Sequence, residues 1–172
     1  IKALVDMGAR VVGGWCGTTP QYIKEIKKRC LKAKPIKAKD ITVVSSYSRA
    51  VRFSGAPVMI GERINPTGKK RLKEALREND IAYVLKEAVG QAERGADVLD
   101  VNVGLPELDE ARVLSECVKE IQAVTDLPLQ IDTSDPAAMA GAMRVYNGKP
   151  LVNSVNGKRE SIDAVFPLVK KY

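Results

Sequence analysis

Polar side chains recur at one kind of place in this sequence, the downstream end of a short apolar run. Glu62 and Asn65 follow VMIG, Asp100 and Asn102 end DVLDVNVG, Asp132 ends LPLQID and Asn153 ends PLVN. A carboxylate accepts two hydrogen bonds at once and an amide both donates and accepts, so such a set reads the edge of a polar ligand. A carboxylate placed there is costly to bury unless something hydrogen-bonds to it. Asp135 and Asn147 differ, because they stand where a helix would begin and end. A further candidate is Cys16 in GGWCGTTP (13–20). Glycines free the backbone of that turn, Thr19 is placed to cap a helix and Pro20 to open it. A thiol held this way is presented to a site, as a metal ligand, as a nucleophile or as neither.

Composition narrows the chemistry. The chain of 172 residues has no histidine, which excludes His-based zinc sites, Ser-His and Cys-His pairs and a histidine base. Carboxylates, amides, thiols and basic groups remain. Three cysteines cannot all pair, and nothing resembles a signal peptide, so a reducing cytoplasmic setting is expected. The apolar runs are too short to span a bilayer, and no membrane partner is expected. The net charge of +7 sits entirely in Lys24–Lys39, with eight basic residues and one acid. That stretch reads as the solvated face of a helix running into a connector. No aromatic residues interleave its lysines, so nucleic acid is not an expected partner.

These candidates need elements to hold them. Residues 1–31 read as a helix end, a short strand at Val11–Val12, the glycine turn, and a helix burying Ile23, Ile26 and Cys30. Residues 32–56 read as a basic, Ser-rich linker whose 41–55 part is extended or a hairpin. From residue 57 the pattern is strand then helix, four times. The strands are expected near 58–62, 98–102, 129–132 and 151–153. The first helix opens at Asn79 or Asp80 with Ile81, Val84, Leu85, Ala88 and Ala92 on one stripe. The second buries Val113, Leu114, Cys117, Val118, Ile121 and Val124, the third starts at Pro136, and the last buries Ile162, Val165, Phe166 and Val169, with a kink at Pro167. Apolar strands alternating with helices imply a parallel sheet, whose ligands bind at the strand carboxyl ends.

Together, GERINPTG, GADVLDVN, IDTS and VNSVNG resemble the pterin-binding barrels, the (β/α)8 form shared by dihydropteroate synthases and methyltetrahydrofolate methyltransferases. The upstream GGWCGTTP resembles the end of a homocysteine S-methyltransferase barrel. The order of the two resembles the junction of the homocysteine and folate modules in cobalamin-dependent methionine synthases. The resemblance implies an α/β chain with a partial TIM barrel of four βα units (57–172), preceded by the tail of another barrel (1–31) and a linker (32–56). Eight units close such a barrel, so a piece of a longer chain is expected. With half a pocket, the resemblance implies a piece that is inactive by itself.

The resemblance also implies roles. Asp132 matches the aspartate that accepts both donors of the pterin edge, N3–H and the 2-amino group. Asn153 matches the amide that contacts the ring, and Glu62 and Asn65 match the first-strand signature on the same rim. Asp100 and Asn102 fit the second-strand end, with a substrate-facing and a structural role both open. The implied reaction moves the N5 methyl of methyltetrahydrofolate to cob(I)alamin and on to homocysteine, the cobalamin being bound by other modules. In that family the glycine turn carries two adjacent cysteines, which with an upstream third hold zinc. Here Trp15 takes the first cysteine's place, and indole cannot coordinate zinc. Cys16 therefore matches a metal position in an incomplete site. Two other readings stand beside this one, a dihydropteroate synthase and a non-enzymatic scaffold or pterin binder.

Overall fold

The computed structural model describes residues 1–9, 11–30 and 41–172. They belong to two units, Ile1–Asp40 and Ile41–Tyr172. In the first unit, helix α1 (Lys2–Asp6) and helix α2 (Pro20–Cys30) bury no residue. The strand expected at Val11–Val12 is absent, and Val11 is exposed in an irregular stretch. A strand needs a neighbour for its backbone groups, and no described residue of this unit supplies one. On α2, Ile26 and Cys30 are half-buried while Ile23 is exposed, so the expected buried stripe is only partly covered. Lys24, Lys27 and Lys28 face solvent, as expected. The basic segment 32–40 lies outside the described residues.

The second unit begins with an antiparallel hairpin, β1 (Val43–Ser45) and β2 (Ala50–Arg52). It is not part of a free linker. Ser45 and Lys149 exchange backbone hydrogen bonds, both 2.9 Å. Ser46 Oγ donates to the Asp126 carbonyl at 2.6 Å, and Arg49 pairs with the Asp126 carboxylate at 3.3 Å. The Tyr146 hydroxyl donates to the Ser45 carbonyl at 2.8 Å and accepts from the Leu129 N–H at 3.1 Å. Burial of that phenol raises its pKa. Gly148 has φ 147°, and a Cβ there would stand 2.2 Å from the Ser45 carbonyl oxygen, so only glycine fits. The 41–56 part of the expected linker thus folds with the second unit.

The sheet is parallel, in the order β3 (Ile60–Ile64), β4 (Val98–Val101), β5 (Leu129–Asp132), β6 (Leu151–Asn153). Three strands lie where the sequence places them, while the first runs two residues later than expected. Asp126, Leu129 and Lys149 stand at or just before the starts of β5 and β6, so the hairpin is fastened to the amino ends of those strands. The helices are α3 (Lys70–Arg77), α4 (Ile81–Glu93), α5 (Glu110–Val124), α6 (Pro136–Val145) and α7 (Arg159–Lys171). Helix α3 has no counterpart in the sequence reading; it buries Leu72, Ala75 and Leu76. Asp80, Asp109 and Asp135 cap α4, α5 and α6 through the N–H groups of Tyr83, Arg112 and Ala137.

Alternation along the strands separates two faces. Leu99, Val101, Leu129 and Ile131 are wholly buried in one core with Val84, Ala88, Leu114, Val118, Ile121 and Met139 from the helices. Each of these side chains except that of Ala88 contributes about 1.5–3 kcal/mol by leaving water. Asp100, Gln130 and Asp132 have the opposite parity and stand on the face turned away from that core. Some expected core positions are not covered. Val124 is exposed at the last residue of α5, and on α7 only Val165 is buried, with Ile162 half-buried and Phe166 and Val169 exposed. Helix α7 continues through Pro167. No described helix is long and apolar enough to cross a membrane.

Candidate functional site

Strand register assembles the polar face in two layers. Asp100 on β4 lies opposite Gln130 on β5, and one step toward the carboxyl ends Asp132 lies opposite Asn153 on β6. The Thr133 N–H donates to the Asn153 carbonyl at 2.8 Å and carries the ladder to the strand end. Asn102, just past β4, reaches across and its Nδ2 donates to Asp132 Oδ2 at 2.9 Å. Its amide is oriented for this, since Asn102 Oδ1 accepts from the Gly104 N–H at 2.9 Å. Asp132 is half-buried, and with one side-chain donor among the described residues it keeps lone pairs open to a ligand.

Beneath this pair, Asp100 is only 2% exposed. Gln130 Nε2 donates a short hydrogen bond to Asp100 Oδ1, while Asp100 Oδ2 is buried with no partner among the described residues. Burial pushes the Asp100 carboxyl up to about 6; the Gln130 bond opposes this, the Asp132 and Glu62 carboxylates add to it, and the Lys69 ammonium opposes it. Its burial and its bond to Gln130 turn Asp100 into the sheet rather than toward the open side of the face.

At the first strand, Lys69 gathers the chain. Its ammonium donates to the Glu62 carbonyl at 3.1 Å, to Glu62 Oε2 at 3.0 Å and to the Asn65 carbonyl at 3.1 Å. Asn65 Oδ1 accepts from the Thr67 N–H at 2.9 Å and shapes the turn that leaves the rim. The Asn102 N–H donates to the Ile64 carbonyl at 2.8 Å, which ties the ends of β3 and β4. Of the six sequence candidates of this unit, Asn65, Asn102, Asp132 and Asn153 stand at or just past the carboxyl ends of the strands, while Glu62 and Asp100 stand inside β3 and β4. Lys69 and Gln130 were missed. Gln130 carried a signal, since it shares the parity of Asp132 on an alternating strand; Lys69 carried none.

Cys16 lies in the first unit and is exposed. The turn around it is closed by Thr18 N–H to the Trp15 carbonyl at 2.9 Å and Trp15 N–H to Thr18 Oγ1 at 2.8 Å. Trp15 is itself exposed. Among the described residues no group of three or more His, Cys, Asp or Glu is placed to hold a metal ion. One cysteine beside an indole does not make up the ligand set of a zinc centre. The buried Cys117 thiol, pushed up to about 12 by burial, is unreactive.

Residues 61–172 match the family model described as pterin binding enzyme. The methionine synthase of Mycobacterium leprae is 29% identical over 162 residues, covering 89% of this chain and 13% of that protein. The methionine synthase of Mycobacterium tuberculosis is 29% identical over 157 residues, with the same coverage. The chain therefore spans 13% of the length of the curated relatives it matches. Among solved structures, dihydropteroate synthase from Xanthomonas albilineans in complex with 7,8-dihydropteroate is 26% identical with a TM-score of 0.52, covering 74% of this chain and 48% of that one.

Proposed function

Because the chain belongs to the pterin-binding enzyme family, we propose that the polar face of its second unit binds a reduced folate as part of a methyltransferase. In this reading β3–β6 and their helices are the first half of a (β/α)8 barrel, which agrees with a match to 48% of the dihydropteroate synthase chain. Asp132 accepts the two donors of the pterin edge. Asn102 holds that carboxylate in place, Asn153 contacts the ring from the neighbouring strand, and Glu62 and Asn65 line the rim. The observation that carries the proposal is the half-buried Asp132, oriented by one amide and in register with a second.

The proposed reaction moves the N5 methyl of methyltetrahydrofolate to cob(I)alamin and then to homocysteine. Cobalamin is bound by other modules of the longer protein, and the homocysteine module contributes only its tail here, residues 1–31, with no contact to homocysteine assigned. Zinc belongs to the homocysteine module in the same reading, with Cys16 at one ligand position and Trp15 in place of a second. Dihydropteroate synthesis is the second reading, favoured by the solved relative. Methyl transfer has the better support, because the methionine synthase match covers 89% of the chain and so must extend beyond Ile41–Tyr172 into the first unit.

Calorimetric titration of the longer protein with methyltetrahydrofolate tests the site, since half a pocket alone is expected to bind weakly or not at all. Charge-assisted hydrogen bonds contribute about 1.5–3 kcal/mol each, so Asp132→Asn should weaken binding by roughly ten- to a hundredfold. Asn153→Ala should cost less, because an amide contacting one edge gives up fewer bonds. Unchanged affinity in a folded Asp132→Asn protein removes the pterin assignment.

A further inference from the structure

Glu62 and Asn65 are three residues apart, and on a regular strand such residues face opposite ways. Both nevertheless stand at the rim, tied to the same Lys69 ammonium, Glu62 through its side chain and backbone and Asn65 through its backbone. The register explains how. Gly61 pairs with Leu99 and Ile64 with Val101, so three steps along β3 match two along β4, and a bulge lies between. Gly61 and Ile64 therefore both face the helices, with Ile64 wholly buried in the core. The extra residue returns the chain to the rim in time for Asn65.

A bulge takes backbone groups out of the ladder, and one of them is satisfied from the far side of the sheet. The Arg63 N–H donates to Gln91 Oε1 at 2.8 Å. Gln91 comes from α4 and is 4% exposed. Its side chain lies over Gly61, where a Cβ would stand 2.6 Å from that same oxygen. Its other amide atom, Nε2, is buried without a partner among the described residues. The polar end of this core residue is thus directed at the bulge. Helix α4 grips Arg63 a second time through Glu87, whose Oε2 lies 2.8 Å from Arg63 Nε.

We propose that Gln91 is a positioning residue for the ligand site: by holding the β3 bulge from the helix side, it keeps Glu62 and Asn65 on one rim. The inference rests on the pterin reading for its ligand, but the bulge itself can be tested without one. Gln91→Leu removes the acceptor and keeps an apolar core side chain. Gln91→Glu keeps an acceptor at the same place. Calorimetry on the longer protein with methyltetrahydrofolate should show about a tenfold loss for Leu and a change within about twofold for Glu. In a Glu62→Ala, Asn65→Ala background the Leu substitution should cost nothing more, because the groups it misplaces are gone. An equal loss in that background, or an equal loss for Leu and Glu, overturns the proposal.

If the longer protein does not bind the probe, the pterin reading fails, and the bulge is judged by NMR on this chain. Gln91→Leu should then speed hydrogen exchange at the Arg63 amide and shift the Glu62 carboxyl resonance, and Gln91→Glu should do neither. Unchanged signals in the Leu variant overturn the positioning role. Should the Leu variant not fold, Gln91→Met carries the same comparisons.

Discussion

Asp100→Asn gives a direct reading of the charge on the polar face. The carboxyl rises from 3.8 to about 6, chiefly because it is buried. The folded protein therefore holds this proton more tightly than the unfolded chain. Between about pH 4 and 6 the native state binds more protons than the unfolded state, so stability falls as pH rises. That rise in pKa corresponds to about 3 kcal/mol of stability, present well below pH 4 and lost as pH passes through about 6. Asparagine keeps the oxygen that accepts from Gln130 and cannot ionise. Its amide nitrogen takes the place of Asp100 Oδ2, which has no partner among the described residues, and any cost of that is the same at every pH. Urea unfolding of both proteins at pH 4 and pH 7, followed by circular dichroism, gives a double difference in which that constant cost cancels. The substituted protein should gain about 2.4 kcal/mol relative to the original between the two pH values. A double difference near zero, or of opposite sign, would refute the argument that burial dominates at Asp100.

Other perturbations probe separate parts of the structure. Tyr146→Phe removes both bonds between the phenol, the hairpin and β5, and should lower unfolding free energy by about 1–3 kcal/mol in denaturant titrations, with faster amide exchange at Leu129. Asn102→Ala frees Asp132, and should weaken methyltetrahydrofolate binding by a smaller factor than Asp132→Asn does, measured by calorimetry on both variants. Elemental analysis of the purified chain should find no stoichiometric zinc, and restoring cysteine at position 15 should not change that. One zinc per chain would contradict the reading of Trp15.

The sequence disclosed the repeating units because each apolar strand and helix stripe is a local pattern. It also singled out Asp132 and Asn153 as candidates, because a polar side chain ending an apolar strand is costly there unless it meets a partner or a ligand, and left the role of Asn102 open. The features it hid depend on contacts between distant residues. The hairpin reads as a linker until Tyr146 and Lys149 are known to lie against Ser45. Helix α3 is short and begins without a side-chain cap, so no start signal marks it. Lys69 reads as one surface lysine among many until the chain folds back to Glu62. Val11 and Val12 mislead in the other direction, since β-prone residues make no strand without a partner. Phe166 and Val169 follow a helical stripe faithfully, yet a stripe says only which face is apolar and not what covers it.

The fastening of the hairpin has a consequence for the order in which the chain assembles. Ser45 leaves the ribosome 101 residues before Tyr146, the residue whose hydroxyl holds its carbonyl. During that interval the hairpin's outer edge has no partner in the second unit, and its two three-residue strands are too short to be stable alone. Docking it closes a loop of about a hundred residues, which by chain statistics costs roughly 4 kcal/mol before any bond is made. That cost shrinks once β3 to β6 have already shortened the path between the ends. The earliest-made element of the second unit is therefore among the last to find its place.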